Sequence, residues 1–192
     1  MDLDRQRAIA WLEQNVSAHR LEHILGVEMM AINLAKIHQL DARQAAQAGL
    51  LHDLAKFFPP AKLLDLARQH QLNIDEVCRR VPHLLHADVG AIIAKEEFGV
   101  KDPQVLRAIA NHTLGQPQMD DLSCVIFLAD ALEPGRGDSK KLNQLRQTSQ
   151  EHLLQAVRQV CDMTLKHLVK NNKLIHPRMV QTRNWAFLAA RP

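Results

Sequence analysis

Apolar residues recur at every third or fourth position along most of the chain, the spacing that predicts amphipathic helices. The longest such stripe extends from Leu21 to Ala35, shortly after Ser17, a residue type that caps helix N-termini. Asp41 and Asp102 precede two further stripes in the same way. These patterns predict helices at about residues 8–16, 17–38, 41–56, 60–70, 74–81, 83–98, 102–112, 120–133, 139–148, 150–171 and 178–189.

No segment shows the alternating pattern of a strand, and no Asn-Gly or Asp-Gly pair joins two such segments. We therefore expect an all-α fold. Glycine, proline and charge concentrate in the stretch EPGRGDSKK at residues 133–141, which indicates a boundary. We expect a helical body over residues 1–136 and a basic helical extension over residues 137–192 that packs on the same domain.

The composition is that of an ordinary globular protein. The 192 residues are 46% hydrophobic and 23% charged, which allows a sizeable core and excludes wholesale disorder. No apolar run approaches the ~20 residues of a membrane span, and the acidic start MDLDRQR is unlike a secretory signal. Three cysteines without CxxC spacing argue against a disulfide framework and a cysteine zinc site. We expect a cytoplasmic protein without membrane contact.

Charge is distributed unevenly between the two parts of the chain. Residues 1–133 contain 13 Lys and Arg against 18 Asp and Glu, whereas residues 134–192 contain 11 against 3. A basic extension is compatible with nucleic-acid binding. Its cationic residues are neither clustered nor interleaved with aromatic ones, however, so we expect a solvated helix face that complements the acidic body and no nucleic-acid partner.

Histidine is over-represented, with 11 residues, and tyrosine is absent. Five histidines and two aspartates lie on predicted helices with apolar neighbours: His23, His52, Asp53, His83, His86, His112 and Asp130. The other histidines are expected at the surface or as helix caps: His19, His38, His70, His152, His167 and His176.

A buried carboxylate is unfavourable unless it is paired or bound to a metal ion. Imidazole and carboxylate together form a ligand set that suits iron, manganese and zinc. Adjacent residues on a helix point about 100° apart. On a continuous helix, His52 and Asp53 would therefore serve two ions ~3.5–4 Å apart, with Asp53 between them. Each residue alone is also explained as a packed or capping group, but the whole set favours a metal centre.

The segments RLEH, AGLLHDLAK, LLHADVGA, IANHTLGQP and IFLADALEPGR follow one another in this order. Together they resemble the HD-domain metallophosphohydrolases, and more narrowly the YqeK-type family of symmetrical dinucleoside tetraphosphatases. The resemblance extends over about residues 17–136 and says least about the C-terminal segment. The sequence departs from the family pattern at Ala87, where a small glycine is expected after the ligand histidine.

The resemblance implies a helical bundle that holds two metal ions, with iron expected and manganese, cobalt or zinc as alternatives. The ligands that it implies are His23, His52, Asp53, His86, His112 and Asp130. His83 competes with His86, since residues three apart share a helix face. The resemblance favours His86 because it begins the family-like HADVGA segment, which leaves His83 either to support a metal ligand or to contact the substrate.

The reaction that the resemblance implies is symmetrical hydrolysis of diadenosine tetraphosphate to two ADP by a metal-activated water. Asp53 and Lys56 are the expected catalytic residues. Lys56 lies three positions after Asp53 on the predicted helix and would stabilise the leaving phosphate oxygen. Substrate contacts are expected from Arg20, Lys56, His83, Thr113, Gly115 and Arg136, with Gly115 acting through its backbone N–H. The expected partner is a small nucleotide. The sequence leaves open whether the chain forms a homodimer.

Two alternative functions stay open at this point. Another HD-type nucleotidase or a cyclic-dinucleotide phosphodiesterase would use similar ligands, but these phosphodiesterases usually carry an HHExxDGxGYP-like segment, and this chain has no tyrosine. A non-catalytic nucleotide- or RNA-binding module would leave six ligand-type residues without a role. The residues therefore favour the tetraphosphatase.

Overall fold

The structure is a computed structural model that describes residues 5–190. Within that range the chain is helical and has no strand, which confirms the expected fold class. The helices are α1 Arg5–Asn15, α2 Ala18–Ile37, α3 Ala42–Leu51, α4 Pro60–Gln69, α5 Glu76–Arg80, α6 His86–Glu96, α7 Pro103–Asn111, α8 Asp121–Leu132, α9 Lys140–Glu151, α10 Leu153–Lys170 and α11 Pro177–Ala189. Short 3₁₀ turns, Pro82–Leu85 and Pro134–Arg136, precede α6 and follow α8.

Side-chain caps fix several helix starts at the predicted residues. The Ser17 hydroxyl accepts a hydrogen bond from the N–H of Arg20, and the Asp102 carboxylate accepts one from the N–H of Gln104. Asp120 is the residue that caps α8. Each cap satisfies an N–H that the first turn of a helix leaves without a partner.

Helix α8 is the centre of the core, because its segment from Leu122 to Ala129 is buried without interruption. Helices α2, α3, α7, α9 and α10 all contact α8. The last helix, α11, packs along α10. The C-terminal helices therefore share the core of the body, and no helix among residues 5–190 is long and apolar enough to cross a bilayer.

The prediction that the third helix continues to Lys56 is wrong. Helix α3 ends at Leu51, and residues 52–57 form a series of turns. Where the helix ends, Nδ1 of His52 lies 2.7 Å from the carbonyl oxygen of Gly49, the oxygen that a continuing helix would offer to the N–H of Asp53. The side chains of residues 52–56 are therefore displayed from a turn and not from one helix face.

The predicted helix over residues 83–98 is also divided. His83 lies in the 3₁₀ turn, and α6 begins at His86. His83 is exposed, whereas the side chain of His86 is 1% exposed. The division directs the two histidines differently, because only His86 points into the core of the body.

Candidate metal centre

Four buried histidines from four segments converge beside α8. His23 comes from α2, His52 follows α3, His86 begins α6 and His112 follows α7. Their rings form a chain in which the centroids lie 5.5 Å apart for His23 and His52, 4.9 Å for His52 and His112, and 5.0 Å for His112 and His86. The sequence separates these histidines widely, and the packing of α2, α3, α6 and α7 brings them together.

Each of these rings uses Nδ1 for a hydrogen bond outside the cluster. In three cases the partner is the backbone carbonyl three residues earlier: Gly49 for His52, His83 for His86 and Ile109 for His112. The Nδ1 of His23 lies 3.0 Å from Oε1 of Glu133. A ring that donates from Nδ1 keeps a lone pair on Nε2, and this second contact is what orients metal-binding histidines in proteins.

Asp53 lies between these rings and is 1% exposed. Its Oδ1 lies 3.4 Å from Nε2 of His86 and 3.6 Å from Nε2 of His112. Its Oδ2 lies 3.5 Å from Nε2 of His52 and 3.1 Å from Nη1 of Arg20. The two carboxylate oxygens thus face different parts of the cluster, the orientation that a carboxylate shared between two ions requires.

Asp130 lies at the edge of the cluster that is nearest to solvent. Its Oδ1 is 3.1 Å from Nε2 of His23, 3.9 Å from Nε2 of His52 and 2.6 Å from Nη2 of Arg136. The side chain is 24% exposed, so Asp130 is less deeply buried than its apolar surroundings in the sequence suggest.

The ligand-type atoms form two groups that share His52. We call His23, His52 and Asp130 the cavity group. Their ligand-type atoms lie within 4.8 Å of one another. The same holds for the buried group, His52, Asp53 and His112. The Nε2 of His86 lies beside the buried group, 3.1 Å from Nε2 of His112.

The residues of the buried group fit a metal ion. Among residues 5–190, Nε2 of His52 and Oδ1 of Asp53 are the buried side-chain atoms without a hydrogen-bond partner, and such atoms are rare in folded proteins. With Nδ1 of both rings donating, the adjacent Nε2 atoms of His86 and His112 are both acceptors, and the Lys56 ammonium and the Thr113 hydroxyl are the donors that lie beside them. Imidazole nitrogen and carboxylate oxygen suit divalent iron, manganese, cobalt and zinc alike.

The surroundings favour ionised Asp53 and neutral His86, the states that metal binding needs. Burial opposes the ionisation of Asp53, but the adjacent histidines outweigh it and hold its pKa well below the usual range. Burial lowers the pKa of His86 to about 4, with a further decrease from His112 and Lys56. His52 differs: burial lowers its pKa, but the carboxylates of Asp53 and Asp130 outweigh burial and raise it.

A cavity of about 540 Å³ opens beside the cavity group, within the usual size range of small-molecule sites. Most of its lining surface is apolar, and α2 contributes Met29, Met30, Leu34 and Ile37 to it together with the polar residues His19, Glu22 and Asn33. Met29 and Ile37 are 60% and 47% exposed. Arg20 and Arg136 lie at the end next to the cluster, and the amides of Asn33 and Gln150 also line it.

Most of the predicted substrate residues surround the cluster. Lys56 Nζ lies 3.2 Å from Nε2 of His86, although from a turn and not from the helix face that the sequence suggested. The Thr113 hydroxyl lies 3.0 Å from Nε2 of His112. The His83 ring stacks on the ring of His86, with centroids 5.2 Å apart.

The predicted contact of the Gly115 backbone N–H with the substrate does not fit the structure. This N–H donates to the carbonyl of Asn111 at 2.8 Å, which closes the last turn of α7. Gly115 has a φ of +61°, a conformation that glycine adopts without strain. The role of this glycine is therefore to let the chain turn after His112.

Sequence reasoning missed Glu133 as the partner of His23. Glu133 is 3% exposed, and its second carboxylate oxygen accepts the N–H of Gly135. A Cβ atom at Gly26 would lie 2.7 Å from Oε2 of Glu133, so the glycine makes room for this carboxylate. The signal available in the sequence was a glutamate directly after an apolar helix and before Pro-Gly.

A family model described as HD domain matches residues 20–135, more than half of the chain. This chain belongs to the HD domain family. The match contains all six ligand-type residues of the cluster and ends next to Arg136. The family that the sequence motifs suggested is thereby confirmed.

Relatives of this HD domain chain match it over nearly its whole length. It is 34% identical over 183 residues to the symmetrical bis(5'-nucleosyl)-tetraphosphatase of Bacillus subtilis, covering 95% of this chain and 97% of that protein. It is also 34% identical over 186 residues to the protein of the same name from Halalkalibacterium halodurans, and the match covers 97% of this chain and 98% of that protein. The chain also superposes on a crystal structure from Clostridium acetobutylicum, described as a predicted HD superfamily hydrolase involved in NAD metabolism, with a TM-score of 0.92. The two sequences are 33% identical, and the match covers 96% of this chain and 97% of that chain.

Proposed function

We propose that this chain hydrolyses dinucleoside tetraphosphates symmetrically, so that diadenosine tetraphosphate and water give two ADP. The bond that breaks is the central P–O–P link, and water supplies the oxygen that joins one of the two phosphorus atoms. The observation that carries the proposal is the histidine–carboxylate cluster, which opens on one side into a cavity flanked by Arg20 and Arg136. Near full-length similarity to proteins named for this activity supports the same substrate.

We propose two metal ions, with iron as the expected metal, held by His23, His52, Asp53, His86, His112 and Asp130. When bound, such ions polarise a phosphoryl oxygen and lower the pKa of a water molecule enough for it to act as nucleophile at neutral pH. Two overlapping ligand groups with Asp53 between the rings support two ions in preference to one.

The chain's own cations would hold the oligophosphate. Arg20 lies 3.1 Å from Asp53 and next to the cavity, so its guanidinium orients this carboxylate and also reaches a phosphate at the mouth. Lys56 is half-buried, which makes its ammonium available to the oxygen that leaves with the second ADP. Thr113 and His83 would contact the phosphate chain on the side of His86.

The cavity along α2 would hold one nucleoside of the substrate. Its apolar lining suits the faces of a purine ring, and the amides of Asn33 and Gln150 offer hydrogen bonds to a base edge or a ribose. Because the cavity adjoins His23 and Arg136, a nucleoside bound there places its phosphates over the cluster.

The product pattern tests the proposed reaction. Purified full-length protein loaded with iron, manganese or cobalt is incubated with diadenosine tetraphosphate, and the nucleotides are separated by ion-exchange chromatography. We expect ADP as the only nucleotide product. A mixture of AMP and ATP, or no turnover with any of the three metals, would contradict the proposal. A panel of mononucleotides and cyclic dinucleotides in the same assay tests the nucleotidase and phosphodiesterase alternatives.

A further inference from the structure

Helix α11 lies against the segment that carries His112. The hydroxyl of Thr182 donates to the carbonyl of Leu114 at 2.9 Å. A Cβ atom at Gly115 would collide with the side chain of Thr182, so the backbone of Gly115 and this side chain are in close contact. The C-terminal extension therefore covers the residues that immediately follow a candidate metal ligand.

Arg178 of α11 connects the two segments that supply His86 and His112. Its guanidinium donates to the carbonyl of Gly115, to the carbonyl of Ala110 at 2.8 Å and to Oδ1 of Asn111 at 3.2 Å. It also forms an ion pair with Asp88 at 3.1 Å, two residues after His86 in α6. One planar cation thus satisfies acceptors on both sides of His112 and ties them to the helix that begins at His86.

A second contact fixes the start of α11 over this segment. The Nε2 of His176 donates to the Asp75 carboxylate at 2.9 Å, while its Nδ1 accepts the N–H of Arg178 at 3.0 Å. Asp75, Cys78 and His176 form another compact set of ligand-type side chains. A ring that accepts at Nδ1 carries its proton on Nε2, which leaves no lone pair for a metal ion. This set is therefore a docking contact between α5 and α11.

We propose that Arg178 is a positioning residue of the metal centre. It fixes the segment from His112 to Gly115, and with it the direction of Nε2 of His112 and the place of the Thr113 hydroxyl. Groups that bind or react with a ligand need placement within about 0.5 Å, and loops hold such groups less well than helices do. The C-terminal extension is then part of the catalytic unit, a role that the motifs of residues 17–136 do not indicate.

The test compares Arg178 with Arg183, which lies on the same helix and supplies a matched control. Arg183 pairs with Asp162 of α10 at 2.8 Å, and the side chains of Arg178 and Arg183 are 23% and 29% exposed. Arg183 anchors α11 to α10, and its side-chain hydrogen-bond partners among residues 5–190, Asp162 and Asn184, lie outside the segment from His112 to Gly115. Full-length wild type, R178A and R183A are prepared without metal and titrated with Co²⁺, with visible absorption reporting on the geometry of the ligands.

We expect R178A to bind Co²⁺ about 10–100-fold more weakly than wild type with a changed absorption spectrum, the usual effect of removing a residue that orients metal ligands. R183A should keep the wild-type affinity and spectrum even where its Tm falls as far as that of R178A. Equal Co²⁺ affinity and spectra for R178A and wild type, or equal losses for R178A and R183A, would overturn the proposal.

Two milder variants keep the test decisive if R178A does not fold. R178K retains the charge but not the planar fork, and T182V retains the shape but not the hydroxyl. Each should show a smaller loss of Co²⁺ affinity than R178A, in the range of a few-fold to tenfold, and wild-type affinity in both would contradict the positioning role.

The kinetic consequence, a lower kcat with little change in KM, depends on the proposed function. The Co²⁺ titration does not, so the two can fail separately.

Discussion

The two ligand groups share His52 but differ in their surroundings. The buried group lies beneath α6, α7 and the turns after α3, and the side chains of Asp53 and His112 are each 1% exposed. The cavity group borders the space along α2, and its carboxylate, Asp130, is 24% exposed and paired with Arg136. Each carboxylate is paired with an arginine, Asp53 with Arg20 and Asp130 with Arg136, but buried Oδ1 of Asp53 has no hydrogen-bond partner, whereas Asp130 is also accessible to water. We infer that the buried group determines metal retention and that the cavity group determines access of the substrate.

Removing the two carboxylates separately should produce the largest difference. We expect D53A to lose both metal ions and to reduce activity by at least about a thousandfold, because the several kcal/mol that a metal site contributes correspond to this factor. D130A should keep one ion per chain in the buried group and lose the other. Elemental analysis of the purified proteins together with the ADP assay checks both. Equal metal content in D53A and D130A would remove the proposed distinction between the groups.

The two cations beside the cluster should affect different kinetic constants. K56Q should lower kcat about 10–100-fold with little change in KM, since a charge-assisted contact to the leaving oxygen contributes about 1.5–3 kcal/mol. R136Q should chiefly raise KM, about fivefold, because Arg136 is 39% exposed and an exposed charge contributes about 1 kcal/mol. Steady-state kinetics with diadenosine tetraphosphate measure both constants. The opposite assignment, with K56Q acting on KM and R136Q on kcat, would exchange the proposed roles.

The smallest effect is expected in the apolar part of the cavity. M29A removes an exposed side chain that lines the cavity and should raise KM about two- to threefold, which corresponds to about 0.5 kcal/mol of lost apolar contact. Leu188 is 65% exposed and does not line the cavity, so L188A is the control and should match wild type. A nucleoside bound elsewhere would leave M29A and L188A with the same KM.

The fold class was predictable because helical periodicity and capping residues are local signals. Asp41, Asp102 and Asp120 begin helices close to where the pattern placed them. The end of α3 was not predictable from the same signals, since the apolar spacing continues past Leu51. In the structure the helix ends there, the His52 ring contacts the Gly49 carbonyl, and both His52 and Asp53 face the cluster.

The motifs also identified every ligand-type residue of the two groups, but they did not indicate what holds these residues in place. Glu133 and Arg178 act over separations of 110 residues to His23 and 63 residues to Gly115. No local pattern encodes such contacts, because they depend on where α8 and α11 pack.

The sequence by itself determined that the chain is helical, since spacing and residue type suffice for that, and its resemblance to the HD-domain family indicated which histidines and aspartates could share a metal centre. Only the tertiary structure decided that these side chains fall into a buried group and a cavity group, that Gly115 turns the chain rather than donating to a ligand, and that α11 covers the segment after His112. Those properties follow from the packing of helices distant in sequence, which sets the burial, the hydrogen-bond partners and the pKa of each group.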